Sequence, residues 1–469
     1  MRVVVVGAGP IGLATAMLLA RVDATVTVLD KDPQPPPDDP WEAWADWERS
    51  GVAQFRQPHL ALPRVRHLLD AELPDVRDRL EAIGGRRLSP LELLPRSVAD
   101  RSPRPGDDRF ELLTARRPVL EAAFAHVAAT TSGVEIRRGV AVAEPIEGRS
   151  VLDGVPHVGG VRTKDGEDHP ADLVVDAMGR RSPLTAWVTG LGGRPPLEEA
   201  SDAGFAYYSR HYRSADGRSP EIRGPFGVDL ATVRILTLPG DNGAWTVALI
   251  PMAGDAPFKA LRHTKVWEKV VRAFPHAAHW LDGKPLSDVI PMAGVLDRNR
   301  RTIVDGRPVV TGLIAIGDAW ACTNPQAGRG LSLGLMHATA LRDAVRAHGD
   351  DPAALALRLD ELTESELTPW YRDQVNRDRQ RAADHQAVID GRPQPPPTPE
   401  RAAANALFAA VGQDADVARG WFEVFANINL PSEVLSRPEI AEKVARFAGS
   451  TPQPMAGPTR AQLLTLLAG

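Results

Sequence analysis

Residues 3 to 20, VVVVGAGPIGLATAMLLA, decide the fold. Four valines run into Gly7-x-Gly9-x-x-Gly12, and the strong helix formers of residues 11 to 21 follow at once. The β-branched run predicts a buried parallel strand. ATVTVLD at 24 to 30 predicts a second strand, closing on Asp30. Strand, glycine turn, helix and a strand ending in an acid make a βαβ dinucleotide unit. Its first glycine permits the turn, the second lets a pyrophosphate approach the backbone, and the third lets helix and strand pack closely. The helix N-terminus offers unpaired N–H groups to the diphosphate. Asp30 would accept hydrogen bonds from the adenosine ribose, which favours FAD or NAD over NADP.

The bulk composition narrows the class. With 469 residues, 43% of them hydrophobic, the chain can bury a large core in two or three interlocked lobes. Its 55 basic and 60 acidic residues leave a net charge of −5, which gives no electrostatic reason to expect nucleic acid. The single cysteine, Cys322, excludes an internal disulfide framework and a cysteine metal cage, and fits a reducing compartment. No signal peptide precedes the first strand, and no apolar run of about 18 residues occurs. The expectation is a cytoplasmic protein without integral membrane association.

Moving outward, DPQPPPDDP at 32 to 40 predicts an exposed loop, and residues 59 to 83 predict a helix with Leu62, Val65, Leu68, Leu69 and Leu73 on one face. Residues 111 to 129 predict a strand end followed by a helix. VEIRRGVAVAEPI at 134 to 146 predicts a strand, followed by a hairpin turning at Asp165 and Gly166. Residues 203 to 312 read as short strands with turns such as PGDNG at 239 to 243, around one helix, TKVWEKVVRAF. A buried strand returns at 312 to 319, then a glycine-rich loop and a helix over 331 to 348. Beyond about 350 the chain reads as helical, with a proline-rich linker at 390 to 400.

Three later segments bear on the ligand. Arg117-x-x-Leu120-Glu121 opens a helix, VVDAMGRRSP at 174 to 183 is an apolar strand entering a turn, and GDAWACTNPQAGRG at 317 to 330 carries Asp318 to a second helix N-terminus. An acid beside a second anion-seeking helix end suits a cofactor with a ribityl chain. In this order the motifs resemble FAD-dependent monooxygenases of the para-hydroxybenzoate hydroxylase-like superfamily. That superfamily also holds flavin halogenases, styrene monooxygenase-like epoxidases, geranylgeranyl reductases and lycopene cyclases. The resemblance covers residues 1 to about 345.

The resemblance implies an α/β fold: a Rossmann-like FAD domain with an interleaved β-sheet substrate domain and a helical C-terminal region. The implied boundaries are 1–185 and 306–348 for the FAD domain, 186–305 for the substrate domain and 349–469 for the helical region. It places Gly7, Gly9, Pro10, Ile11 and Gly12 along the pyrophosphate, Asp30 at the ribose, Arg117 near the diphosphate or ribityl chain and Asp318 on the ribityl hydroxyls. Gly328, Arg329 and Gly330 would present N–H groups to the flavin pyrimidine edge, where pre-oriented donors stabilise developing negative charge. Lys31, Gln57, Val142, Gly179, Pro325 and Leu331 complete the implied cofactor set.

Arg56, Gln57 and His59 in QFRQPHLALP sit where related enzymes pass the flavin, so Arg56 and His59, with Arg210, are the candidate catalytic residues. In GFAYYSRHYR, strand alternation sends Tyr208, Arg210 and Tyr212 to one face and Tyr207 and His211 to the other. Tyr208, Tyr212 and Trp245 are the candidate substrate residues, with cross-strand packing as the competing reading. His263, His276 and His279 lack metal-ligand spacing, so no metal is expected. The superfamily's hydroxylases carry Asp-Gly where this chain has Met178-Gly179. Methionine cannot match that acid's hydrogen bonding, which leaves NAD(P)H and a separate flavin reductase open as electron source. The implied activity is oxygen transfer from a flavin C4a-hydroperoxide, with O2 as cosubstrate, to a small organic substrate. Hydroxylation and epoxidation are both open, and two proline-rich loops and a helical tail around a variable cavity suggest specialised metabolism. The alternatives are a geranylgeranyl reductase-like flavin reductase, a flavin halogenase (lacking here the second Trp and the spacing of that branch's signature) and a non-catalytic FAD-fold scaffold.

Overall fold

Five strands lie parallel in one sheet, in the spatial order Leu313–Ala315, Leu173–Asp176, Arg2–Val6, Thr25–Asp30, Val134–Arg138 of a computed structural model. The structure describes residues 1–94, 97–202, 204–230, 232–447 and 455–468. In chain order this sheet runs 5-4-1-2-3, so the strand order reverses between the first and fourth strands. In open α/β sheets ligands bind at such a reversal, outside the carboxyl ends of the strands. Gly7 and Ala177 follow those two strands directly. Helix Pro10–Ala20 packs between helices Arg117–Thr130 and Arg329–His348, and its buried Leu13, Met17 and Leu18 join Val3, Val5 and Val26 in the main core. A three-stranded antiparallel sheet, Val142–Glu147, Val158–Thr163 and Asp168–Pro170, lies beside a second core on the other face.

The second lobe is a six-stranded antiparallel sheet built on Gly227–Leu230, Val233–Pro239, Ala244–Pro251 and Tyr207–Arg213. Helix Thr264–Arg272 covers one of its faces with Trp267, Val270 and Val271. The lobes are pinned together at the turn PGDNG: Asp241 accepts hydrogen bonds from Arg116 Nη2 at 2.6 Å, Nε at 3.0 Å and the Arg116 backbone N–H at 2.7 Å, all buried.

Several elements differ from the sequence expectation. The single helix over 59 to 83 is two, Pro63–Glu72 and Pro74–Ala82. Each proline takes the first turn of a new helix, and Leu73, preceding Pro74, leaves the helical region at φ −139° and ψ 56°. The strand over 134 to 146 is also two, in different sheets, split where Gly139 adopts φ +75°. The loop at 32 to 40 begins with a buried residue, Asp32, and ends in the short helix Pro40–Ala45 capped by Asp39. The helical tail is not one unit. Helix Arg460–Ala468 packs against the second lobe through Leu463 and Leu467, while Pro399–Ala410, Ala415–Phe425, Pro431–Leu435 and Pro438–Arg446 form a cluster with its own core. Among the described residues no helix is long and apolar enough to cross a membrane.

Candidate functional site

The strand reversal opens into a cavity of about 1940 Å³, roughly twice the upper size of a single small-ligand pocket. Its floor is the glycine turn. A Cβ on Gly12 would meet the Gly7 carbonyl oxygen at 2.0 Å, so this glycine exists for the close approach of helix and strand. A Cβ on Gly9 would meet nothing within 4 Å. Gly9 caps helix Pro10–Ala20, and Pro10, which has no N–H to leave unpaired, takes its first turn. The open space therefore lies over a helix N-terminus, where a phosphate group is favoured.

At one end of this floor sits a buried ion network. Asp30 accepts from the Ala8 N–H at 2.6 Å and from Arg49 Nη2 at 3.0 Å, and Arg49 Nε reaches Asp32 at 2.9 Å. Arg49 Nη1 lies 3.6 Å from Glu121, whose other oxygen accepts from Arg117 Nε at 2.7 Å. Burial opposes the Arg49 charge, but Glu121, Asp30 and Asp32 outweigh it and hold the guanidinium above its ordinary range. Glu121 thus orients two arginines at once, and Arg117 extends along the cavity wall. Arg49 is a site residue that no motif exposed in the sequence.

Further along, Asp318 faces the cavity and accepts no hydrogen bond among the described residues. Burial raises its carboxyl above the usual range, while Arg117 and Arg180 pull it back. Gly330 lies beside it, 3.8 Å from Oδ1 to a Cβ built there. Gly328 adopts φ +67° to start helix Arg329–His348. The Arg329 side chain turns away as a strut: it reaches Asp373 at 2.7 Å and the Trp370 carbonyl at 3.1 Å, tying the loop to helix Thr368–Ile389. Cys322 lines the wall with its thiol raised by burial, which rules out a ready thiolate.

Of the sequence-derived candidates, Gly7, Gly9, Pro10, Ile11, Gly12, Asp30, Lys31, Arg117, Val142, Gly179, Asp318, Pro325, Gly328, Arg329, Gly330, Leu331 and His59 line this one cavity. The structure corrects the others. Arg56 turns outward, donating to the Trp44 carbonyl at 3.0 Å and pairing with Glu48. Gln57 bridges the lobes, accepting from Ser209 at 2.7 Å and donating to the Ile290 carbonyl. Arg210 pairs with Glu268 on the covering helix and donates to the Ser287 carbonyl. Tyr208, Tyr212 and Trp245 sit in the core beneath that helix, the last two stacked at 6.1 Å, and none lines the cavity. The strand alternation holds, but the apolar stripe of Thr264–Arg272 claims the face carrying the tyrosines. The cavity instead receives Arg234, Leu236 and Leu238 from strand Val233–Pro239, beyond Ala244–Pro251 in the same sheet.

His59 is in the cavity but neutral: burial, then Arg117, push it down to about 3. His211 and His337 are also held at about 3 by burial, with Arg116 and Arg56 adding to His211. In the unfolded chain such histidines take up protons below their ordinary 6.5, whereas the folded chain resists until about 3. Their contribution is complete above 6.5 and is lost as pH falls. Asp176 and Asp297, raised to about 6, work the opposite way, stabilising in acid and losing that contribution as pH rises through 6. Burial also lowers His67, His126, His157, His276 and His385 and raises Asp318 and Asp378, so eight histidines against four acids leave the unfolded state the stronger proton binder between these limits. Thermal melts are therefore expected to fall steadily from about pH 7 to about pH 4.5, each net proton of difference contributing about 1.4 kcal/mol per pH unit. A flat or rising profile would contradict this.

The comparisons agree with the geometry. A model of the NAD(P)-binding Rossmann-like domain matches residues 5–36. Protein Rv3254 of Mycobacterium tuberculosis is 28% identical over 357 residues, 73% of each chain. PqsL of Pseudomonas aeruginosa, described as a probable FAD-dependent monooxygenase, superposes with a TM-score of 0.58 at 18% identity, covering 83% of this chain and 97% of its own. OxyS anhydrotetracycline hydroxylase of Streptomyces rimosus gives 0.55 at 18% identity, over 92% and 77%. The chain has the FAD-binding monooxygenase fold. PyrE3, a Diels-Alderase of pyrroindomycin biosynthesis, shares that fold at 0.61 and 16% identity, over 92% and 81%.

Within this fold the residues present suit FAD. The open helix N-terminus at Gly9 can receive a diphosphate, Asp318 has a carboxyl free for hydroxyl donors, and the cavity continues to Leu236 and Leu238 of the second lobe. The turn at 176 to 182 shows one departure. Its acid, Asp176, is fully buried and occupied by Ser182 and the Met178 N–H, so the turn presents Met178, Arg180 and Arg181 to the cavity and no acid.

Proposed function

We propose that the chain is an FAD-dependent monooxygenase acting on a small organic substrate. The observation that carries this reading is the cavity joining the Gly9 helix N-terminus and Asp318, which accepts no hydrogen bond among the described residues, to a separate lobe with one apolar wall. When bound, FAD supplies the two-electron redox chemistry with O2. The protein's part is positioning. Gly9 and the first turn of helix Pro10–Ala20 would hold the diphosphate, Asp318 would accept from ribityl hydroxyls, and Arg117, fixed by Glu121, would neutralise phosphate charge. The N–H groups after Gly328 would donate to the part of the reduced cofactor that gathers negative charge. Helices of the C-terminal cluster roof the second lobe and keep water from the reacting atoms.

Met178 offers no acid for a nicotinamide partner, which supports delivery of reduced flavin by a separate reductase. Mixing the flavin-loaded protein anaerobically with NADH or NADPH is then expected to leave it oxidised, and adding a flavin reductase to bleach it. Exposure to isotopically labelled O2 with a panel of electron-rich aromatic and olefinic compounds should give a product with one labelled oxygen. Full reoxidation with no label in any product would overturn the monooxygenase reading. Asp318→Ala is expected to weaken FAD binding about 10- to 100-fold through loss of charge-assisted hydrogen bonds, with unchanged thermal stability of the flavin-free chain. Flavin fluorescence titration reads this directly.

A further inference from the structure

The second lobe of the cavity carries an excess of arginine. Arg234, Arg329, Arg377, Arg381 and Arg401 all line it. Three acids answer part of this charge. Asp229 pairs with Arg234 at 2.9 Å, Asp373 is taken by Arg329 at 2.7 Å and is 3.9 Å from Arg377, and Asp384 is 4.0 Å from Arg401. A fourth, Asp378, is buried on the same helix, accepts from Gln374 at 2.7 Å, and is raised by burial. Arg381 has no ion pair or hydrogen bond among the described residues, its Nη1 is buried without a partner, and it rests over the Phe205 ring. Burial pushes the Arg377 guanidinium down to about 10, and Arg329, Arg381 and Arg401 add to that.

Arg377 and Arg381 are half-buried; Arg377 has only the long contact to Asp373 at 3.9 Å, and Arg381 has the charge of Asp378 without a hydrogen bond to it, so the desolvation of these two forks is incompletely offset. Arg377 and Arg381 lie one turn apart on helix Thr368–Ile389, so both forks reach the same part of the lobe. Across from them the lining is apolar, with Leu236, Leu238, Met292, Val295 and Phe425. One end of the lobe is thus a cationic fork and the other a greasy wall.

We propose that Arg377 and Arg381 are the anion-recognising end of the substrate lobe, and that the substrate is an organic oxyanion, a carboxylate or a phosphate monoester, on an apolar body. This deepens the monooxygenase reading and rests on it for the word substrate, while the anion site itself stands on the arginines. Guanidinium groups match planar and tetrahedral oxyanions through paired N–H donors, so both headgroups are compatible with the fork.

The test is calorimetric titration of the full chain, loaded with FAD, with naphthoate, naphthyl phosphate and the neutral naphthamide. Both or either anion should bind at least about tenfold more tightly than the amide, and the tighter of the two identifies the headgroup. Arg377→Gln and Arg381→Gln should each weaken the anions about tenfold while leaving naphthamide and FAD affinity unchanged. Equal binding of anion and amide by the wild-type protein would overturn the proposal, as would variants that weaken all three probes alike. The wild-type selectivity and its loss in added salt keep the test decisive if a variant does not fold. Should the chain take up no FAD, the same titrations are run flavin-free. The lack of FAD uptake would sink the flavoenzyme reading, and anion selectivity there would leave the anion site standing.

Discussion

Replacing Arg49 with alanine is expected to lower the unfolding free energy by about 3–5 kcal/mol. The guanidinium is buried and faces three acids, Asp30, Asp32 and Glu121, with a fourth contact to the Ala8 carbonyl at 3.0 Å. Its removal leaves Asp30 and Asp32 without their cation, while Glu121 keeps Arg117, and the cost is that of burying unpaired charge rather than the worth of one ion pair. The damage should also reach the ligand site, because Asp30 and the Glu121-held Arg117 both line the cavity. Arg49→Lys should restore only part of the loss, since an ammonium cannot match a fork serving three directions. Denaturant melts of the two variants decide this, and a change below about 1 kcal/mol for Arg49→Ala would show that the network carries little of the fold's stability.

The second large effect separates two glycines of one motif. Gly12→Val is expected to cost about 3 kcal/mol or more and to yield little folded protein, because its Cβ would lie 2.0 Å from a backbone oxygen that cannot move freely. Gly9→Val should fold with nearly the wild-type melting temperature, as Gly9 has φ −77° and open space beyond its Cα. That space is where a pyrophosphate would lie, so FAD affinity should fall by about 100-fold or more. Melting curves and flavin titration on both variants give the pattern. A Gly9→Val protein that still binds FAD tightly would remove the diphosphate from this turn.

The parts of the site legible in the sequence were those fixed by local geometry. Gly7, Gly9 and Gly12 follow from a strand turning into a helix, and Asp30 from the end of the next strand, all within one βαβ unit. Asp318 was legible because it follows a buried strand and opens the glycine-rich loop that leads to helix Arg329–His348. What stayed hidden depends on segments far apart in the chain. Arg49 sits in an irregular stretch with no periodicity, and only the fold brings it to Asp30 and Glu121. The alternation of Tyr208 and Tyr212 was readable, but the choice of cavity face was made by helix Thr264–Arg272, which lies over fifty residues downstream. The roof over the second lobe is likewise tertiary: the buried pair Arg419–Asp107 joins residues 312 apart in sequence. Pro74 and Gly139 broke elements that hydrophobic periodicity alone ran together.

Whether this cavity holds FAD is read from purified protein, denatured and analysed by chromatography with mass detection for its released small molecules. One FAD per chain is expected after saturation, lost in Gly9→Val and weakened in Asp318→Ala. Saturable binding of NAD(P) instead, with no retention of FAD, would contradict it.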